Sequence, residues 1–377
     1  MLILAAVVAI FIYGMIAAML GTILPDLSDR FHLTPHQNGI IAFAQALGLI
    51  LASLAVGPLL DNEGKKIGLI LGLAFITAAL ALLPRSTGFR SVAFLLFLLG
   101  IGGGIVVTGA NSLASDVDSL HRATALNLVN LFFGLGGLAT PFISANLFKR
   151  NWVRLCYTVA VLAAITLGIQ ATTHMPPPSG SGRFILAEAG PVLGQPALFL
   201  LGFYLFLYIT CEVGVWNWLV RHLIAQGIPE SRALNILSLG FALGLIFGRI
   251  GVSAVLLRFS ALNVTLVASI AMAVFTFFMI RTAKPAVAFT LVFLAGLSMA
   301  PVFPTVLAIV GGVFPRMTST AMGIVITFGW AGLAVSSRII GSIAGGDAKR
   351  LRTALLVFPA ASVLMIGLNV ALRFVLP

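Results

Sequence analysis

Glu212 is the one acidic residue of this 377-residue chain that lies well inside a long apolar stretch. An acid at membrane depth costs about 2.5–3.5 kcal/mol on insertion scales, so it normally faces a cavity, a charged partner or an ion path. A carboxyl group in that position can take up and release a proton, and the alternative is a structural carboxylate held by a hydrogen bond or a base. The other nine acids lie in loops or at the ends of apolar stretches: Asp26, Asp29, Asp61, Glu63, Asp116, Asp118, Glu188, Glu230 and Asp347.

Trp216 follows Glu212 by four residues, so the two side chains share one face of a helix. An acid beside an indole suits a sugar, because hydroxyl groups bond to the carboxylate and the apolar ring face packs on the indole. Further polar and aromatic side chains inside apolar stretches are expected to complete this lining, with a helix–helix hydrogen bond as the alternative for each amide. These candidates are Gln45, Asn111, Asn127, Asn130, Asn217 and Trp330.

Arg249 and Arg338 are the two basic residues inside apolar stretches. Arg338 lies towards the same membrane face as Glu212, so we expect these two to pair. Arg249 lies nearer the other face, and we expect it to brace helix ends or a gate.

The sequence offers no catalytic or metal-binding constellation. Gly102-Gly103-Gly104 is not a phosphate loop, because no Lys-Ser or Lys-Thr follows it. Cys156 and Cys211 lie inside apolar stretches and are interpreted as small buried residues, not as disulfide or metal ligands. The five histidines are placed outside the apolar stretches: His32, His36, His121, His174 and His222. We therefore predict no enzymatic activity, no cofactor and no metal.

The composition excludes a soluble protein. Apolar residues make up 60% of the chain and charged residues 8%, against about 25% charged residues in an ordinary globular domain. The apolar runs are about 20 residues long, which is the length of helix that crosses roughly 30 Å of hydrocarbon. They lack the alternating polarity of barrel strands, so we predict an all-α membrane protein. The net charge of +12 is scattered over short loops, so no nucleic-acid partner is predicted.

Two internal repeats indicate a duplicated bundle. The sequence Ala-Leu-Gly-Leu-Ile occurs at 46–50 and again at 242–246, and Phe133–Ala139 returns at Phe328–Ala334 with five of seven positions identical. The two offsets, 196 and 195 residues, nearly agree. We predict two pseudo-symmetric six-helix bundles, 1–172 and 195–377, joined by a cytoplasmic linker at 173–194 that is rich in Pro, Gly and Ser.

Twelve spans are predicted, six in each bundle. In the tenth, Pro301 and Pro304 should bend the helix, whereas the glycines of the fourth should allow close helix approach. The spans are 2–24, 39–60, 67–84, 91–115, 123–145, 152–172, 195–220, 233–257, 262–280, 286–311, 320–342 and 353–373.

The loop after the second span resembles the hallmark loop of the major facilitator superfamily. It reads Gly57-Pro58-Leu59-Leu60-Asp61-Asn62-Glu63-Gly64-Lys65-Lys66. Gly57 lets two helices touch, Asp61 can face the positive N-terminal end of a neighbouring helix, and Gly64 turns the chain. The family usually places a base directly after the Asp, where this chain has Asn62. The resemblance implies twelve helices, both termini in the cytoplasm and Lys65 on the cytoplasmic side.

Three further segments resemble the fucose–proton symporter and glucose/galactose transporter group. They are Thr108–Ser112, Arg122–Asn130, and Tyr208–Gly214 with Trp216 and Trp218. This resemblance implies carriage of a monosaccharide. The proton symporters of the group carry acids where this chain has Gly21 and Val107, so their coupling acids do not transfer.

The expected function is secondary transport of a glucose-, galactose- or fucose-like sugar by alternating access, in a monomeric protein of the bacterial inner membrane. Proton coupling through Glu212 is one reading, and uncoupled or sodium-coupled transport is another. An exporter of drugs or small metabolites is the main alternative. The family topology places seven of the 22 bases in the cytoplasm and thirteen outside, with two inside spans. This count opposes the positive-inside rule, and we give the loop motif more weight.

Overall fold

The computed structural model describes residues 2–149, 151–178, 192–344 and 348–376. Within these residues no strand occurs, and twelve helices are long and apolar enough to cross a membrane, which confirms the predicted fold class. In chain order they are α1 (Leu2–Phe31), α2 (Pro35–Asn62), α3 (Lys65–Leu82), α4 (Phe89–Val117), α5 (Arg122–Phe142), α6 (Trp152–Thr172), α7 (Pro196–Ala225), α8 (Glu230–Val255), α9 (Ala261–Met279), α10 (Pro285–Val313), α11 (Thr318–Ala344) and α12 (Arg350–Val375).

Four helices depart from regular α-helical geometry. In α12, two turn residues at 355–356 separate the segments Ala348–Ala354 and Val357–Val375. α5 continues as a π-helical turn over Ile143–Leu147, and α8 contains one over Ile236–Phe241. α10 is interrupted at Pro301, between the segments Pro285–Met299 and Val302–Val313. A proline lacks the backbone N–H and its ring clashes with the preceding turn, so the predicted bend is confirmed. α4 runs unbroken through its glycines.

Local sequence explains several helix ends. Thr34 and Gln37 form a capping box, in which the Thr34 Oγ1 accepts from the Gln37 N–H at 3.3 Å and the Gln37 Oε1 accepts from the Thr34 N–H at 2.9 Å. Asn151 and Ser260 cap α6 and α9 in the ordinary way. Gly64 separates α2 from α3 with φ of +92°, a backbone conformation that favours glycine.

The chain forms two compact units. Unit 1 comprises Met1–Arg122, Val129–Gly190 and Phe314–Thr327, and unit 2 comprises Ala123–Leu128, Pro191–Val313 and Phe328–Pro377. The units follow the predicted bundles except that the first turns of α5 and α11 are exchanged. The domain boundaries stay a prediction, since most of the linker 173–194 lies outside the described residues, as do Glu188 and Asp347.

The helices of the two units have equivalent neighbours. In unit 1, α2 and α3 both pack against α4, and α6 packs against α1 and α3. In unit 2, α8 and α9 both pack against α10, and α12 packs against α7 and α9. Each neighbour pair of the second set is a pair of the first set displaced by six helices, as a duplicated bundle requires.

The repeated pentapeptide has the same packing role in both units. A Cβ at Gly48 would lie 2.2 Å from the carbonyl oxygen of Phe97, and a Cβ at Gly244 would lie 2.3 Å from that of Phe293. Both residues of the second pair follow their counterparts by 196 positions. Neither glycine can carry a side chain, because the backbone of the neighbouring helix occupies that space. The repeat is therefore a pair of equivalent helix contacts.

The sequence-based placements of two acids and two histidines were wrong. His36 was placed outside the spans, but it lies in the first turn of α2. α1 ends at Phe31, not near residue 24, so Asp26 and Asp29 lie within this helix and not after it. His222 was placed in a loop, but it lies in α7 and is fully buried. These errors come from helices that extend past their most apolar segment, where hydropathy no longer marks the end.

Candidate substrate site and helix junctions

Three faces of α7 contact different elements of unit 2. The Cys211 thiol donates to the carbonyl oxygen of Phe358 on α12 at 3.5 Å. A Cβ at Gly214 would lie 2.3 Å from the Phe358 ring, so this face is packed tightly on α12. The Thr210 hydroxyl donates to the carbonyl oxygen of Gly332 on α11 at 3.2 Å. The remaining face carries Glu212.

Glu212 is buried, with 8% of its surface exposed, so it does not face lipid. Tyr208 lies one turn earlier on the same face of α7, and the positive charge of Arg249 on α8 acts on the Glu212 carboxyl group. Tyr208 and Arg249 are buried as well. We expected Arg338 to be the partner, but Arg338 is exposed. Arg249 takes this place, and α8, which carries it, packs against Trp216 on the same face of α7.

Trp216 continues this face towards α8. Its ring packs edge-on against Phe241, with ring centroids 5.2 Å apart and an interplanar angle of 78°. Trp216 is 37% exposed, so part of the indole is accessible. Phe241 closes the π-helical turn of α8. Asn217 is exposed on another side of α7, so the structure does not bring it to the face of Glu212.

Asn111 and Asn130 form one buried pair in unit 1. The Asn130 Nδ2 donates to the Asn111 Oδ1 at 2.6 Å, and the Asn111 Nδ2 donates to the Val107 carbonyl oxygen at 2.7 Å. In this structure the two amides thus make the helix–helix hydrogen bond that was the alternative to a ligand contact. Val107 thus supplies an acceptor through its backbone.

Asn127 has a different partner. Its Nδ2 donates to the Thr305 Oγ1 of α10 at 3.1 Å, within unit 2, and to the Ala123 carbonyl oxygen at 2.8 Å. Its Oδ1 is buried and finds no hydrogen-bond partner among the described residues. An unsatisfied buried amide oxygen costs about 1–3 kcal/mol, so this atom is suited to accept from a ligand hydroxyl or a water.

Gln45 and Trp330 are half-buried. The Trp330 indole N–H also has no hydrogen-bond partner within the described ranges, so a donor is available there. Their contact with a substrate stays a prediction.

Asp61 lies in the last turn of α2, against the N-terminal end of α11. Its Oδ1 accepts from the Ser319 N–H at 3.0 Å, and its Oδ2 accepts from the Thr320 N–H at 2.8 Å and the Thr320 hydroxyl at 2.7 Å. These are orphan donors of a helix N-terminus, where a negative charge is favourable. The expected position of Asp61 at a helix N-terminus is confirmed, while a role in gating stays a prediction.

Two neighbours complete this junction. A Cβ at Gly57 would lie 2.4 Å from the Cα of Thr320, so Gly57 allows α2 and α11 to touch. Lys65, buried at the start of α3, forms an ion pair with Asp116 near the end of α4. The ion pair fixes α3 to α4 beside the turn at Gly64.

Unit 2 contains a weaker version of the same junction. The Thr124 hydroxyl at the start of α5 donates to the carbonyl oxygen of Ser253 on α8 at 3.1 Å. Thr124 precedes Thr320 by 196 positions. Ser253 follows Gly57 by the same number of positions. The position that corresponds to Asp61 is Leu257, so the carboxylate is present in one repeat and absent from the other.

Twelve apolar helices in two equivalent six-helix sets, with a buried acid inside α7, are the architecture of a membrane transporter. The sequence profile of the Major Facilitator Superfamily matches residues 6–337, and the chain belongs to this superfamily. The resemblance drawn from the loop at 57–66 is thereby confirmed, and the family is one of transporters and not of enzymes.

Two curated relatives and one solved structure are similar to this chain. The glucose/mannose transporter GlcP of Bacillus subtilis is 24% identical over 383 residues, which cover 96% of this chain and 92% of the relative. A glucose/galactose transporter of Brucella abortus is 25% identical over 245 residues, 60% of each chain. The E. coli fucose:proton symporter FucP superposes with a TM-score of 0.84 at 17% identity, covering 99% of this chain and 98% of that one. The likeness to FucP concerns the fold alone.

Sequence reasoning missed the residues that complete these arrangements. Tyr208 lies one turn before Glu212, and the four-residue spacing was a usable signal. Thr305 and Thr320 carried no such signal, because each acts on a residue more than 170 positions away.

Proposed function

We propose that this protein carries a monosaccharide of the glucose, galactose, mannose or fucose type across the membrane by alternating access. The proposal rests on one face of α7, where Glu212 is buried and the partly exposed indole of Trp216 lies one helical turn further along. A carboxylate offers strong hydrogen bonds to sugar hydroxyls, and an indole packs against the apolar face of a pyranose ring. The sugar cargo of two relatives supports the substrate class.

Glu212 is proposed as the proton-coupling residue. It is buried well inside α7, where the positive charge of Arg249 contributes to its electrostatic environment. An uncoupled carrier is the second candidate, because Gly21 and Val107 stand where related proton symporters carry acids. Asn127, with its unsatisfied Oδ1, and Trp330, with its free N–H, are proposed as further sugar contacts.

Uptake into liposomes tests the proposal. We expect the purified chain to accumulate one of these sugars, and we expect a membrane-permeant apolar drug neither to be transported nor to raise the melting temperature. An inwardly directed proton gradient should raise accumulation if Glu212 couples protons, whereas an uncoupled carrier should equilibrate the sugar and ignore the gradient.

Glu212→Gln keeps the shape of the side chain and removes its charge. We expect this variant to remain folded but to be less stable, because the buried Arg249 loses the neighbouring negative charge, and to lose proton-driven accumulation. Glu63→Gln, at an exposed position in the loop between α2 and α3, is the matched control. Normal accumulation by Glu212→Gln would remove this residue from the mechanism, and transport of a drug without any sugar would replace the cargo.

A further inference from the structure

Unit 2 has an apolar groove formed by α8, α9 and α10. It encloses about 350 Å³, and its walls are almost entirely aliphatic and aromatic. The one hydroxyl group in the lining, that of Ser298, donates to the Ala295 carbonyl oxygen at 2.8 Å and is thus already satisfied. A sugar needs hydrogen-bond partners, so this groove is separate from the substrate site proposed above. Its principal lining residues are Val255, Val264, Ala268, Ala271, Phe275 and Leu297.

The dimensions of the groove match one hydrocarbon chain. It follows α9 from Asn263 to Phe275, and twelve residues of helix extend about 18 Å. One leaflet of the hydrocarbon core is roughly 15 Å thick, half of a core of about 30 Å. A helix with its side chains is about 10–12 Å across, whereas a volume of about 350 Å³ spread over this length corresponds to a width of about 5 Å, roughly half of that. The groove therefore admits an acyl chain and excludes a helix.

Two arginines lie at the end of the groove where the membrane surface is expected. Asn263 lines that end, and the Arg373 Nη2 donates to its Oδ1 at 2.7 Å. Arg258 is exposed and immediately precedes Phe259, another lining residue. No Asp or Glu occurs between Glu230 and Asp347, or after Asp347, so no neighbouring acid along these helices compensates the two bases.

We propose that this groove binds one acyl chain of an anionic phospholipid, with the headgroup phosphate held by Arg258 and Arg373. A phosphate at this place gains charge-assisted hydrogen bonds from two guanidinium groups, and the acyl chain fills an apolar groove of leaflet depth. The groove floor includes Pro301, at the interruption of α10, so a bound chain packs against the break in that helix.

Native mass spectrometry of the delipidated full chain tests the proposal. Phosphatidylglycerol and phosphatidylcholine with identical acyl chains are titrated separately. We expect the first phosphatidylglycerol to bind about tenfold more tightly, the order of effect that one or two bases exert on an anionic lipid. Equal binding of the two lipids would overturn the proposal.

A charge variant and its control locate the headgroup. Arg258→Gln with Arg373→Gln should abolish the preference for phosphatidylglycerol. Arg281→Gln with Lys284→Gln removes the same charge from exposed positions just beyond the other end of α9 and should leave the preference intact. If both double variants lose the preference equally, the effect is one of net charge and the proposed site is wrong.

A volume variant locates the chain. Ala271→Phe places a ring in the middle of the groove and should weaken binding of the first lipid at least fivefold, for either headgroup. Ile270→Phe, at the adjacent exposed position outside the lining, is the control. Unchanged binding by Ala271→Phe at a normal melting temperature overturns the proposal. So does a concentration-dependent dimer that only Ala271→Phe disrupts, because a second copy would then occupy the groove.

Discussion

Asp61 binds Thr320 through two hydrogen bonds, one from the backbone N–H and one from the hydroxyl group, both to the same carboxylate oxygen. The other oxygen accepts from the Ser319 N–H. The last turn of α2 therefore caps the first turn of α11 with a full negative charge. In the repeat, Leu257 stands at the corresponding position, and the Thr124 hydroxyl links α5 to α8. The duplicated unit thus has a charged junction in one copy only.

Asp61→Asn should destabilise the protein and alter the rate of transport. The amide keeps one acceptor oxygen but turns an N–H₂ group towards the donors of α11, so we expect a loss of about 1–3 kcal/mol. Thermal unfolding in detergent measures the stability, and sugar exchange measures the rate. Glu63→Gln removes a charge from the same loop without a comparable contact. An unchanged melting temperature for Asp61→Asn would show that the cap contributes nothing.

Gly57→Ala should separate α2 from α11. The added methyl group would lie 2.4 Å from the Thr320 Cα, so one backbone must move, at a cost of about 1–3 kcal/mol. Gly39→Ala, on the same helix, meets no atom within 4 Å and should be neutral or slightly stabilising. Melting temperatures of the two variants give the comparison. Equal behaviour of both would mean that α2 and α11 are not packed closely at Gly57.

Arg249→Met should be more harmful than removal of both charges together. The single change leaves the buried Glu212 without the positive charge that acts on its carboxyl group, so we expect the free energy of unfolding to fall. The double variant Glu212→Gln with Arg249→Met should recover much of the lost stability, although not the transport activity. Arg338→Met, at an exposed position, should change stability by less than about 0.5 kcal/mol. A double variant no more stable than Arg249→Met would show that the two charges are not coupled.

The cysteine of a Thr87→Cys variant should react with an impermeant maleimide added outside the cell. Thr87 is exposed between α3 and α4, and the family topology with cytoplasmic termini places this loop outside. Both native cysteines, Cys156 and Cys211, are buried, so background labelling should be low. Glu63→Cys, in the next loop towards the N-terminus, should react only after the membrane is opened. The reverse pattern would invert the orientation and agree with the positive-inside count.

Much of the fold could be predicted from the sequence because its signals are local or repeated. Membrane spans need about 20 apolar residues in succession, and Pro301 interrupts a helix wherever it stands inside one. The sequence repeat at Gly48 and Gly244 indicated the duplication, and the structure shows the same close helix contact at both glycines. Hydropathy failed only where helices extend past the apolar core, as at Asp29 and His222.

The site could be predicted only in part. The spacing of four residues predicts that Glu212 and Trp216 share a helical face, and both lie in the unbroken helix α7. The predicted partner of Glu212, Arg338, was wrong, because a shared membrane depth does not determine which helix packs beside α7. Asn127 and Asn130 share a face by spacing, yet one bonds to Thr305 and the other to Asn111.

The sequence by itself therefore determined that the chain is a doubled set of membrane helices with an acid buried in the seventh. These properties depend on composition, on apolar runs of the length of one span and on a sequence repeat with an offset of 195 to 196 residues. The tertiary structure decided which side chains meet: Arg249 with Glu212, Asn130 with Asn111 and Thr320 with Asp61. Such pairings depend on the rotation of each helix and on the helix beside it, and both are set by close packing between segments far apart in the chain.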